Sequence, residues 1–208
     1  MFFEEAYQRI RFGDMPLYSL VTKDRCKEIW NTVEELKNLD GDCIEVGVWR
    51  GGTAALIAQQ IKNLNLNSEL FLCDTFTGVV KADKNDKYYK NGEHSDCSIT
   101  TVNELFTLYF KLPKPSILKG IFPEETGNIV KDKKFKFIHL DVDVYQSTKD
   151  AFYFLFDRLV IGGKIIIDDY KWPHCTGIEK FVKEIENDSD KKVYQGKANY
   201  HVIIEKIK

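Results

Sequence analysis

Residues 43–76 read "CIEVGVWRGGTAALIAQQIKNLNLNSELFLCDTF", and the hydrophobic period changes twice within them. "CIEVGV" is a short apolar run of β type, "WRGG" is a glycine turn, "TAALIAQQIKNL" has helical spacing, and "ELFLCDTF" returns to the strand pattern. Strand, helix and strand in that order make one βαβ unit. The same alternation runs on through the strand "FKFIHLDVDV", the helix "STKDAFYFLFDRL", the strand "GKIIIDDY" and the helix "GIEKFVKEIEN". Repeated βα units imply a mostly parallel sheet, helices on both faces and right-handed crossovers. The end, "KVYQGKANYHVIIEKI", reads as two strands joined by a turn at Gly196 to Asn199, an antiparallel edge pair.

Working outward, Thr22 reads as the N-cap of a helix through "KDRCKEIWNTVEELKNL", whose Cys26, Ile29, Trp30, Val33, Leu36 and Leu39 share one face. Residues 1–40 thus form an N-terminal helical arm. A polar stretch from Thr77 to Ser98 is too long for an ordinary connection and reads as an inserted lid, followed by the helical "TTVNELFTLYFKL" and the strand "SILKGIF". A chain of 208 residues suits one α/β domain, which buries roughly 70% of its unfolded surface. No repeat, linker or second domain shows in residues 1–208. A net charge of -2 argues against nucleic acid as a partner. Acids stand in the first residues where a signal peptide wants positive charge, and no apolar run approaches the length of a membrane span. A cytoplasmic protein is expected. Its five cysteines are odd in number and lack a CxxC pair, so neither a disulfide framework nor a zinc site is indicated.

In open parallel sheets ligands sit outside the carboxyl ends of the strands. Acids gather there: Glu45 in the first strand, Asp74 ending the second, then Asp141 with Asp143, and Asp168 with Asp169. Taken singly, each reads more simply as a helix cap or a solvated loop acid; their joint placement favours a site. Gly47, Gly51 and Gly52 allow a ligand close to backbone amides at a helix start, but the spacing is not GxGxxG and Glu45 is unsuited to a pyrophosphate. An adenosine cofactor without phosphate, S-adenosylmethionine, fits better, with Asp74 placed for a ribose diol. Asp141, Asp168 and Asp169 offer the oxygen donors that Mg2+ takes, and a cation would relieve the repulsion between the adjacent pair.

"EVGVWRGG", "DTFTG", "LDVDVYQSTKDAF", "RLVIGGKIIIDDY" and "CTGIEKF" resemble, in order, the motifs of the macrocin O-methyltransferase (TylF-like) family of sugar methyltransferases. The resemblance runs from about Ser19 to Phe181. It implies a class I methyltransferase (Rossmann-like) fold with a seven-stranded sheet, S-adenosylmethionine as donor, Mg2+ on Asp141, Asp168 and Asp169, and Asp141 as proton acceptor. Cofactor contacts are implied at Ser19, at Glu45, Val46, Gly47, Val48 and Trp49, at Gly51, Asp74 and Asp141, and around Cys97, Ser98 and Ile99. Tyr88, Tyr89, Tyr170 and His174 are candidates for contact with the acceptor, a small molecule or a glycan. Association into homo-oligomers stays open.

Other readings compete. A catechol would use the same metal apparatus, so a catechol-type O-methyltransferase is the near alternative. Tyr145 and Lys149 have the YxxxK spacing of short-chain dehydrogenases, the basis of an NAD-dependent oxidoreductase reading that lacks its glycine-rich loop. The fold alone supports a non-catalytic nucleotide-binding module. His139 alternates with Asp141 and Asp143 along one strand and reads either as support for the site or as a core histidine.

Overall fold

In the computed structural model, which describes residues 1–13 and 15–208, the N-terminal arm comprises α1 (Phe3–Arg9), a ribbon of β1 (Arg11–Phe12) and β2 (Met15–Pro16), and α2 (Lys23–Glu35). Asp14, within the arm, lies outside the described residues. Then come β3 (Asp42–Val46), α3 (Gly52–Asn63), β4 (Leu70–Asp74), α4 (Ile99–Glu104), β5 (Ser116–Lys119), β6 (Phe135–Leu140), α5 (Tyr145–Phe156), β7 (Leu159–Ile167), α6 (Thr176–Ile185), β8 (Lys191–Gln195) and β9 (Val202–Lys206). Seven strands form one sheet in the order β5-β4-β3-β6-β7-β9-β8, parallel except for β9, which runs antiparallel to both β7 and β8. Because β3 has β4 on one side and β6 on the other, the chain order reverses at its carboxyl end, where such sheets open a crevice.

Period-two alternation assigns the side chains to two cores. Cys43, Phe137, Ile166 and Ile203 pack toward α1, α2 and α3, whereas Ile44, Ile138, Ile165 and Ile204 pack toward α5 and α6. Glu45 pairs with His139, His139 with Ile166, and Ile166 with Ile203, so parity places Glu45 and His139 on the α2 side. Two ionisable side chains are thereby committed to a buried layer.

The segment 77–98 contains no helix or strand, yet it is tied down at several points. Val79 donates its N–H to the Glu93 carbonyl and accepts from Gly92, each at 2.8 Å. Asp86 accepts from the backbone of Tyr145 at 2.9 Å, which satisfies a donor at the start of α5. Ser147 reaches the Val80 carbonyl and Thr176 the Asn85 carbonyl. Among the described residues no helix is long and apolar enough to cross a membrane.

Candidate active site

A cavity of about 300 Å³ opens at the carboxyl ends of β3, β4, β6 and β7. Ser19 and Arg25 of the arm wall it on one side, Val46 to Trp49 and Asp74 form its base, and Val79, Tyr89 and His94 of the 77–98 segment close another side. Asp141, Asp143, Asp168, Asp169 and Trp172 complete the wall. Two glycines let the pieces approach. Gly47 has φ +86°, and a Cβ there would lie 1.8 Å from the Asp141 carbonyl oxygen. A Cβ on Gly52 would lie 2.6 Å from the Tyr18 carbonyl, which instead accepts the Gly52 N–H at 2.9 Å and so joins the arm to the glycine turn.

Asp74 braces that turn. Its Oδ2 accepts the backbone N–H groups of Val48 at 2.7 Å and Trp49 at 2.9 Å, and its Oδ1 accepts that of Phe76 at 2.7 Å. The carboxylate therefore orients the loop as well as facing the cavity, a role that the spacing of the sequence did not disclose.

Asp168 and Asp169 are met by a cation of the chain itself. Arg25 Nη1 bonds to Asp168 Oδ1 and, at 3.0 Å, to Asp169 Oδ1, while Thr22 Oγ1 accepts from its Nε at 3.3 Å. Burial opposes the charge on Asp168, but His201, Arg25 and His139 together hold its carboxyl well below the usual carboxylate range. The other three acids move the opposite way. Burial, then repulsion from Asp168 and Asp169, pushes Asp141 up; burial and Asp169 push Asp143 up; burial and Asp168 push Asp169 up despite Arg25. Asp141, Asp168 and Asp169 thus act on one guanidinium, and their hard oxygens are of the kind that Mg2+ takes. Among the described residues, ligand atoms lying within 4.8 Å of one another group Asp143 with Asp169 and Cys175, and His139 with Asp168 and His201. Asp141, Asp168 and Asp169 share the cavity without forming such a group, and Arg25 stands between two of them.

Beneath the cavity runs a buried chain of alternating acid and imidazole. Glu45 Oε1 is 2.7 Å from His139 Nδ1, and Glu28 Oε2 is 2.8 Å from His201 Nδ1. The Nε2 atoms of both histidines face Asp168, at 4.0 Å for His139 and 3.5 Å for His201. Burial works against a charged His201, yet Asp168 and Glu28 outweigh it and lift the imidazole to about 9.

The structure thus corrects several expectations. Glu45 is 0% exposed and turned onto His139, so it does not reach the cavity as a cofactor contact would, because strand parity points it to the α2 side. Gly51 lies under Val102, and Ser98 caps α4 by accepting the Thr101 N–H; with Cys97 and Ile99 they stand outside the cavity wall. Tyr170 is buried outside the wall, and Tyr88 stacks on His174 with ring centroids 4.7 Å apart, also outside it. Ser19, Val46, Gly47, Val48, Trp49, Asp74, Tyr89, Asp141, Asp168 and Asp169 do line it. Tyr145 and Lys149 meet at 2.9 Å, but both bind Glu184 of α6 away from the cavity, so the oxidoreductase reading loses its residues. Arg25, Glu28 and His201 were missed. A signal existed for Arg25, which stands one turn before Ile29 on the buried face of α2.

The family model described as macrocin-O-methyltransferase (TylF) matches residues 3–193. The chain is 27% identical over 187 residues to mycinamicin III 3''-O-methyltransferase of Micromonospora griseorubida, covering 84% of this chain and 73% of that protein. It is 31% identical over 184 residues to an 8-demethyl-8-(2,3-dimethoxy-alpha-L-rhamnosyl)-tetracenomycin-C 4'-O-methyltransferase of Streptomyces olivaceus, covering 82% and 70% of the two chains. The solved structure of the O-methyltransferase NovP superposes with a TM-score of 0.80 at 22% identity, over 98% of this chain and 88% of that one.

Proposed function

The chain belongs to the macrocin-O-methyltransferase (TylF) family and is an S-adenosylmethionine-dependent methyltransferase, and from that premise we propose that it methylates a hydroxyl of a sugar, in the cytoplasm, with Mg2+ at the carboxylate cluster. The acceptor is a glycoside, a nucleotide sugar or a polysaccharide unit. The observation that carries the reading is the meeting of the braced glycine turn with Asp141, Asp143, Asp168 and Asp169 in one cavity. A relative whose name places its acceptor on a rhamnosyl-tetracenomycin supports a sugar over a catechol. Five free cysteines accord with a reducing compartment.

Asp141, Asp168 and Asp169 would hold the Mg2+, which when bound polarises a coordinated hydroxyl. The chain does the rest. Val46 to Trp49 and Asp74 hold the donor at the base of the cavity, and Tyr89 and Trp172 shape the acceptor's side. Asp141, which faces the cavity, takes the hydroxyl proton. The 77–98 segment, already part of the wall, closes over the acceptor.

The test is methyl transfer to a panel of sugars and catechols, with and without EDTA, in wild type and in Asp141→Asn and Asp143→Asn. Sugar methylation lost in EDTA, restored by Mg2+ and most depressed in Asp141→Asn supports the reading. Full turnover in excess chelator refutes the metal, a deeper loss in Asp143→Asn reassigns the base, and preference for a catechol reassigns the acceptor.

A further inference from the structure

Among the described residues, five buried side-chain polar atoms lack a hydrogen-bond partner, and four belong to the chain beneath the cavity: Glu45 Oε2, His139 Nε2, Asp168 Oδ2 and His201 Nε2. A buried polar group without a partner is costly, so four along one contiguous chain call for an explanation. Each imidazole is anchored at Nδ1 by a carboxylate. That bond fixes the ring and aims Nε2 at Asp168, as in carboxylate–histidine–metal triads.

We propose that His139 Nε2, His201 Nε2 and the carboxylate of Asp168 bind one divalent transition-metal ion of the Zn2+, Co2+ or Fe2+ class. Their ligand atoms lie within 4.8 Å of one another and all three residues are fully or almost fully buried. Two ligands each about 2.1 Å from one ion can be at most about 4.2 Å apart, and the separations to the Asp168 carboxylate, 4.0 Å from His139 Nε2 to Oδ2 and 3.5 Å from His201 Nε2 to Oδ1, lie within this limit. Two imidazole nitrogens and one carboxylate suit such an ion, whereas Mg2+ prefers oxygen throughout. The charge balance favours a cation as well. Glu28, Glu45 and Asp168 hold the two imidazoles, and Arg25 lies on Asp168, so with both imidazoles neutral a divalent ion balances the charge of this group.

The ion is structural, since the trio is closed to solvent. It ties β6 through His139 to the end of β7 through Asp168 and to the start of β9 through His201, and Glu28 extends the tie to α2. It shares Asp168 with the proposed Mg2+ set but stands whether or not that set binds an ion.

The experiment loads metal-stripped protein with Co2+, dialyses it against millimolar Mg2+, and reads bound cobalt together with the proton spectrum. The expected result is about one Co2+ per chain, with two solvent-exchangeable imidazole Nδ1–H resonances shifted far outside the diamagnetic range. His139→Gln and His201→Gln lose the cobalt and Asp141→Asn keeps it. Where a histidine variant does not fold, the wild-type resonances decide. Folded wild type that retains no cobalt, cobalt without those two resonances, or cobalt lost from Asp141→Asn but kept by the histidine variants overturns the site; two protonated imidazoles would then be the explanation.

Discussion

Replacing Arg25 with methionine removes the chain's own cation from between Asp168 and Asp169 while keeping much of the side-chain volume. The guanidinium-bearing side chain is 11% exposed and its partners 1% and 14%, so solvent cannot restore the lost charge. Breaking a buried pair by deleting one partner costs about 3–5 kcal/mol. Asp169, already raised, takes up a proton and sheds part of that cost, whereas His201 and His139 keep Asp168 ionised. A loss near the lower bound, about 3 kcal/mol, is expected from urea unfolding in EDTA at neutral pH. Mg2+ at 100 times its Kd should return about 2.7 kcal/mol. At that same Mg2+ concentration the gain should exceed that of wild type, because Arg25 no longer competes for the two carboxylates. A variant within about 0.5 kcal/mol of wild type in EDTA would refute the buried ion pair, and equal Mg2+ increments in the two proteins would refute the competition.

Three further outcomes follow from the same geometry. Asp74→Ala leaves three backbone N–H groups without their charged acceptor, so it should lose about 2–4 kcal/mol in urea unfolding and weaken S-adenosylhomocysteine binding by calorimetry, with Asp74→Asn intermediate. Gly47→Ala sets a Cβ against the Asp141 carbonyl at a backbone angle that L-residues avoid, and a loss of about 3 kcal/mol or more should appear in thermal unfolding together with lost turnover. In metal-free protein the stabilisation from charged His201 is complete below its unfolded value of about 6.5 and disappears as pH rises through about 9. That fall amounts to about 3 kcal/mol and should be absent from His201→Gln; equal pH slopes in the two proteins between these limits would count against it.

The alternation of strand and helix, the glycine turn and the acids at three strand ends were legible because each is a local property: a hydrophobic period, a backbone need, a boundary. The family motifs are contiguous for the same reason, and the match over residues 3–193 follows from them. What lay beyond the sequence was which charges face one another. Arg25 and Asp168 are 143 positions apart, and nothing near either names the other. Parity along β3 committed Glu45 to the α2 side, but register alone set it beside His139 rather than in the cavity. The antiparallel return of β9 carried His201 to Asp168, and the packing of α6 on α5 gave Tyr145 and Lys149 to Glu184. Local chemistry thus determined which elements form and where acids end them. The electrostatic state of those acids depended on through-space partners supplied by distant segments, and only the closing of the sheet and the docking of α2 decided it.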